Sequence, residues 1–232
     1  MPAYQVARYV AQAIESVLVQ QGVPFELLLG DDGSTDGTWA VVSQYQGDPR
    51  VRAWRFRPHR GPGAVRNRLI ARARGRYLSM CDADDLMLPG NLAILSQVLE
   101  RDRGAGVACA RRVMIDTRGR RLGTPVAFAA PGAQWDLVKG IMGYRGGTLL
   151  RRTLVAQVGG YREDLPVAED YDLLLKLAER TRFIALQEHT LYGWRRHPGS
   201  LTISTSRALD HACVTAARRT AIRRRYGHQV PW

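Results

Sequence analysis

Two clusters of aspartate stand out in a chain that is otherwise strongly basic. Asp82-Ala83-Asp84-Asp85 places three carboxylates within four residues, with no lysine or arginine nearer than Arg76. Carboxylates this close repel one another, and a cation relieves them. A hard divalent ion, Mg²⁺ or Mn²⁺, takes oxygen ligands, commonly one or two carboxylates completed by phosphates and water. The same turn could instead be solvated, or could use Asp84 or Asp85 to cap the helix that follows. The second cluster, Asp31-Asp32-Gly33-Ser34-Thr35-Asp36-Gly37, is more specific. Its glycines permit tight backbone geometry, and Ser34, Thr35 or Asp36 can cap a helix starting near Thr38. An aspartate at the end of a strand can also accept hydrogen bonds from a nucleobase or ribose. A third acidic pair, Glu169-Asp170, opens a helical pattern, where acids favour the helix dipole.

The elements around these clusters set where they point. Val6, Tyr9, Val10, Ala13, Ile14, Val17 and Leu18 recur at helical spacing, so residues 6–20 read as an amphipathic helix. Residues 25–29 and 77–81 are short apolar runs, hence buried strands, and each leads straight into an acidic turn. Residues 38–45, 64–74 and 89–101 read as helices, and 51–56 and 107–110 as strands. Residues 111–124 read as a hairpin turning at Arg118-Gly119. A strand over 148–150, a helix over 170–178, a strand over 183–186 and a basic helix over 207–225 complete the pattern. Alternating strands and helices in the first hundred residues predict an α/β sheet with crossover helices. Ligands in such sheets bind beyond the C-terminal ends of the strands, so turns 31–36 and 82–85 should open onto one edge.

Composition narrows the function classes. The chain has 232 residues, 45% of them apolar and 24% charged, which is ordinary for a folded domain. No stretch approaches the ~20 apolar residues of a membrane span, and the N-terminus lacks the apolar run of a signal peptide. Cys81, Cys109 and Cys213 lie far apart, which suits a reducing cytosol and argues against a disulfide framework or a zinc knuckle. All but two of the 34 cations are arginine, and the net charge is +13. Residues 50–76 carry ten arginines and no acid, and Arg218, Arg219 and 223–225 form a second group. Such patches are either solvated surface or attract anions: substrate phosphates, lipid headgroups or nucleic acid.

The ordered set of motifs resembles the family 2 glycosyltransferases, which have the GT-A fold. The matching segments are Met1-Pro2-Ala3-Tyr4 with the helix through residue 20, residues 26–38, 61–67 and 75–89, and 160–174 with Glu169-Asp170. Arg195-Arg196-His197-Pro198-Gly199-Ser200 resembles the family's late R-x-H-x-x-S element. The resemblance implies a Rossmann-like, mixed but mainly parallel sheet flanked by helices. It implies a glycosyltransferase domain over residues 1–205, with a donor half at 1–105 and an acceptor half at 106–205, followed by the basic helix of 206–232.

It also implies inverting transfer of a sugar from a nucleotide diphosphate, a UDP-sugar by expectation, to an acceptor hydroxyl. Tyr4 would lie against the base, with Asp32 accepting a hydrogen bond from it and Asp31 alongside. Asp82 and Asp84 would hold Mg²⁺ or Mn²⁺ at the diphosphate, with Asp82 also counted in the donor site and Asp85 as a neighbour or alternate ligand. Arg66 would lie near the donor, and Arg196 and His197 would close over the diphosphate. Asp170 would be the general base, with Glu169 beside it. The acceptor would be a carbohydrate, a lipid-linked glycan or a small molecule, as in polysaccharide, glycolipid or natural-product assembly.

Members of the family open with a short apolar strand before the Met1-Pro2-Ala3-Tyr4 segment. That strand is expected to be absent here, with about 5–10 Val- and Ile-rich residues encoded upstream of Met1 and the strand at 25–29 left without a neighbour. Gln5 stands where the family commonly has asparagine, and Cys81 where it has a larger apolar residue. Trp135, Tyr144 and Trp194 could stack on a sugar or pack in the core. Two other readings compete. A sugar nucleotidyltransferase would ordinarily show a Gly-rich, lysine-containing loop, and residues 1–15 have none. A basic nucleic-acid-binding module would rest on charge alone, and no nucleic-acid partner is expected. The expected location is cytoplasmic, with residues 207–225 able to rest on the anionic inner face of a membrane.

Overall fold

The computed structural model describes residues 1–126 and 147–226, without the side chains of residues 202, 203 and 226. Trp135 and Tyr144 lie outside the described residues. The element order is β1 (Pro2–Ala3), α1 (Val10–Leu18), β2 (Leu27–Asp31), α2 (Thr38–Gln44), β3 (Val51–Arg55), α3 (Pro62–Ile70), β4 (Tyr77–Ser79), β5 (Leu86–Met87) and α4 (Asn91–Arg101). It continues with β6 (Ala105–Ile115), β7 (Arg121–Val126), β8 (Thr148–Arg151), α5 (Arg152–Gln157), α6 (Glu169–Ala178), β9 (Arg182–Arg195), α7 (Leu201–Ser204) and α8 (Arg207–Tyr226).

Two sheets share the molecule. The first is β1-β2-β3, all parallel. Every residue of β2 is buried, because α1 and α2 cover one part of it and α3 another. The approach of α3 is close: a Cβ on Gly30 would meet Val65 Cγ1 at 2.6 Å. The second sheet runs β4-β8-β6-β9-β5, with β7 on β6. Its β6–β9 pair is parallel and its other pairs are antiparallel. The hairpin expected at 111–124 is the β6–β7 pair. The strand expected at 183–186 is longer, reaching Arg195 through a pairing with β6 that shifts register twice beyond Ala110.

Strand β2 is not left bare. Pro2 and Ala3 pair with Gly30 and Asp31, and Gly30 N–H donates to Met1 O at 3.0 Å. Only the earlier part of β2 lacks that neighbour. There, an apolar cleft of about 510 Å³ separates Leu27 and Leu28 from Tyr77 and Leu78 of β4. The N-terminal amine sits at its end, buried, and donates to Leu28 O at 2.8 Å.

Helix α8 packs on α6. Cys213, Val214, Ala217 and Ala221 close over Leu165, Tyr171, Leu175 and Ala178. This face is rotated from the Leu209, Ala212, Cys213, Ala216 stripe that spacing alone picks out, and Leu209 is exposed. Among the described residues no helix is long and apolar enough to cross a membrane.

Candidate active site

The acidic turns do meet. A cavity of about 700 Å³ is lined by Tyr4, Asp32, His59, Arg66, Asp82, Asp84, Asp85, Glu169 and Asp170. Tyr4 follows β1, Asp32 follows β2, His59 precedes α3, and Asp82 to Asp85 join β4 to β5. Asp170 stands in the first turn of α6, the end where the helix dipole favours a carboxylate.

Arg66 of α3 lies between them. One guanidinium nitrogen is 2.6 Å from Asp82 Oδ1, and another is in contact with Glu169 Oε1. Burial opposes its charge, but Asp82 and Glu169 outweigh burial and hold the guanidinium firmly protonated. Burial also pushes Glu169 above the usual carboxylate range, against the pull of Arg66. The next residue, Asn67, donates to Tyr161 O at 2.9 Å and accepts from Tyr161 N–H at 2.8 Å. Together Arg66 and Asn67 fix the loop ahead of α6, and with it Asp170, against the acidic turn. The Asp170 carboxylate accepts its neighbour Tyr171 N–H at 2.7 Å.

The acids of the second turn have different surroundings. Asp82 is the most open, its side chain 38% exposed, and that of Asp84 is 20% exposed. Asp84 Oδ2 lies 3.0 Å from His197 Nε2. Asp85 is buried: it accepts Tyr192 O–H at 2.8 Å and Arg195 N–H at 2.7 Å. Burial, then the charges of Asp84 and Asp82, raise its pKa well above the carboxylate range. Asp85 is thus tied into β9 rather than turned to the cavity mouth. The Tyr192 hydroxyl oxygen also accepts Asp82 N–H at 3.1 Å.

Arg195 stands first in the late motif, and spacing assigns it no role of its own; in the structure it is the buried support of the acidic turn. Its side chain is fully buried and donates to Asp84 O at 2.6 Å, Asp116 O at 3.1 Å and Gln12 Oε1 at 3.0 Å. Arg196 is exposed, does not line the cavity, and contributes its backbone N–H to Ile115 O. The difference is strand alternation, with successive side chains on opposite faces. Asp31 is also outside the cavity, buried against Arg55 at 3.2 Å.

The turn after β2 is organised by Asp32, whose carboxylate accepts Arg60 N–H at 3.2 Å and Gly61 N–H at 2.8 Å and lies 2.8 Å from His59 Nδ1. Asp36 accepts Thr38 N–H and Oγ1–H just ahead of α2 and also accepts Ala7 N–H. Gln5 bonds Ser34 and Thr35, so the segment carrying Tyr4 is pinned to this turn.

Residues 1–159 match the family model described as glycosyl transferase family 2. The chain belongs to that family. This glycosyltransferase is 34% identical over 97% of its length to the succinoglycan biosynthesis protein ExoO of Rhizobium meliloti, 67% of which it covers. It is 28% identical to a chondroitin synthase of Pasteurella multocida, over 79% of this chain but only 19% of that protein. Among solved structures, Staphylococcus aureus TarS residues 1–349 with UDP-GlcNAc superposes with a TM-score of 0.80 at 20% identity, covering 96% of this chain and 65% of that one. The mannosyltransferase PcManGT of Pyrobaculum calidifontis, with GDP-Man and Mn²⁺, gives 0.64 at 16% identity, covering 99% and 74%. These likenesses establish the GT-A fold of the transferase. The transferase spans from about a fifth to about three quarters of these proteins.

Two substitutions test the packing of the transferase site. Arg66→Met strands the buried Glu169 carboxylate and should lower stability by about 3–5 kcal/mol. Tyr192→Phe removes one hydroxyl shared by Asp82 N–H and Asp85, and should lower it by about 1–3 kcal/mol. Denaturant midpoints read both, and a Tyr192→Phe protein as stable as the parent would show that the acidic turn does not depend on that hydroxyl.

Proposed function

We propose that this chain transfers a sugar, with inversion, from a nucleoside diphosphate donor to an acceptor hydroxyl. The observation that carries the reading is the single cavity holding an aromatic ring, a base-facing carboxylate, an acid pair and a helix-start carboxylate. Tyr4 offers a face for the base, and Asp32 accepts a ring N–H. A carboxylate can only accept, which favours uracil or guanine over cytosine or adenine, whose corresponding ring nitrogens carry no proton. TarS was solved with UDP-GlcNAc and PcManGT with GDP-Man, and we take UDP as the expected carrier here.

Asp82 and Asp84 fit a hard cation as part of a set. They are one residue apart, cavity-facing and partly open, whereas Asp85 is engaged by Tyr192 and Arg195. Among the described residues no group of three or more acids, histidines or cysteines forms a metal cage by itself. That suits Mg²⁺ or Mn²⁺, which share coordination between one or two carboxylates, phosphates and water. Held there, the ion supplies positive charge for the departing diphosphate. Arg66 adds a fixed guanidinium at the same turn, its orientation set by Glu169 before substrate arrives.

Asp170 is the proposed general base. It takes the acceptor hydroxyl proton as that oxygen attacks the sugar carbon on the face opposite the leaving diphosphate, so configuration inverts. His197, bonded to Asp84, would steady that carboxylate beneath the diphosphate. The relatives named for succinoglycan and chondroitin synthesis point to a growing polysaccharide as acceptor.

Part of the arginine run of residues 50–76 is engaged within the chain. Arg50 pairs with Asp48, Arg52 with Glu26, Arg55 with Asp31 and Arg66 with Asp82 and Glu169. Arg52, Arg68 and Arg72 lie over Trp54 or Phe56. For α8, packing on α6 leaves its arginines a route to an anionic membrane surface only as a secondary contact.

A screen of UDP- and GDP-sugars with and without Mn²⁺, read by donor hydrolysis and transfer, tests the function. Asp84→Ala should abolish the Mn²⁺-dependent part of donor binding. Asp170→Asn should leave UDP binding intact and slow transfer by about 10²–10⁴-fold. Full turnover by Asp170→Asn would remove it as the base.

A further inference from the structure

We propose that His59 occupies the nucleobase subsite and competes with the donor for it, so that a nucleotide binds only by displacing this side chain. The inference rests on the assignment of Tyr4 and Asp32 to the base. The imidazole of His59 stacks on Tyr4, with centroids 4.0 Å apart and planes 23° from parallel. Its Nδ1 lies 2.8 Å from Asp32 Oδ2. A uracil in the same place would offer a flat face to Tyr4 and a ring N–H to Asp32, which as a carboxylate can only accept. Two rings 4.0 Å apart leave no slot for a base between them.

The surroundings allow an exchange. The side chain of His59 is 49% exposed whereas that of Asp32 is 3% exposed, so the imidazole can rotate outward while the carboxylate cannot. Asp32 keeps its aim when His59 leaves, because Arg60 N–H and Gly61 N–H still hold it. Gly61 has φ 88°, the left-handed region, which lets the backbone turn those two amides onto one carboxylate. The loop therefore stays in place and only a side chain moves. A base that donates a ring N–H and offers a flat face replaces both lost contacts. A ligand without a base, such as pyrophosphate, has no need to displace His59.

The test is calorimetric titration of UDP and of pyrophosphate, each with Mn²⁺, into the parent protein and His59→Ala. When a binding-competent state is only partly populated, apparent affinity falls by that fraction. Removing the imidazole should therefore tighten UDP by about five-fold or more and leave pyrophosphate unchanged. In the parent, UDP should move the His59 ring proton resonances out of the shielding of Tyr4. Unchanged or weakened UDP binding in His59→Ala would overturn the proposal, weakening meaning that the imidazole supports the bound base. Tyr4→Ala on the His59→Ala background separates the two levels. If it weakens UDP while His59→Ala alone did not tighten it, the base subsite stands and the competition falls. If it leaves UDP unchanged, the base binds elsewhere and both fall.

Discussion

The site depends on one buried guanidinium. Arg66 reaches forward to Asp82 in the turn after β4 and across to Glu169 at the start of α6. A buried cation without partners would be strongly destabilising, and so would a buried Glu169 without Arg66. The two needs are met by one geometry, in which the acidic turn and the start of α6 face each other across the cavity. Asn67 reinforces it one residue on, gripping the backbone of Tyr161 from the same helix. A Cβ on Gly63 would meet Arg162 O at 2.7 Å, so α3 can approach this loop closely only because that position has no side chain.

The acidic turn itself is held from beneath. Three carboxylates in four residues would repel if all faced the same way, and the fold separates them by environment. Asp85 is turned inward, where burial and the two neighbouring acids disfavour its charge against the hydrogen bonds of Tyr192 and Arg195, while Asp82 and Asp84 stay near the cavity. Arg195 also donates to the Asp84 carbonyl, which fixes the backbone where outward Asp84 meets inward Asp85. A tripeptide that is common in sequences becomes specific through a strand more than a hundred residues later.

Much of this was legible in the residue pattern, and the failures have physical causes. Buried strands running into acidic turns pointed to a common rim, and Asp32 and 82–85 do line one cavity; β2 and β4 lie in different sheets, so that rim comes from how the two sheets meet and not from one sheet's edge. The helix starts near Thr38, Pro62 and Glu169 follow from turn chemistry and periodicity. The resemblance put Arg196 near the diphosphate and left Arg195 without a role, and with β9 read as four residues alternation could not show which of the two faces inward. Its extension to Arg195 depends on pairing with β6 through register shifts, a tertiary effect with no local signal. The stripe of α8 was offset because small residues occur all round that helix, so packing against α6 selects the buried face. The stack of His59 on Tyr4 joins positions 55 residues apart and is visible only once β1 pairs with β2. Roles, as opposed to places, came from the family resemblance rather than from spacing.

The resulting cavity is satisfied by its own side chains. Asp32 is matched by His59, Asp82 by Arg66 and Asp84 by His197. Under the proposed function each of these acids also has a task toward the donor, so binding is an exchange of partners rather than the filling of open valences. Exchange discriminates more sharply than simple attraction, since a ligand that breaks a pair without replacing it leaves a desolvated carboxylate behind. A nucleotide that brings a base N–H and a divalent ion can replace what it displaces at all three acids. A sugar phosphate has no base for Asp32, and a nucleoside has no diphosphate to bring a cation to Asp82 and Asp84. Under the proposed function, selectivity for a whole nucleoside diphosphate over its fragments follows from the pairs already present.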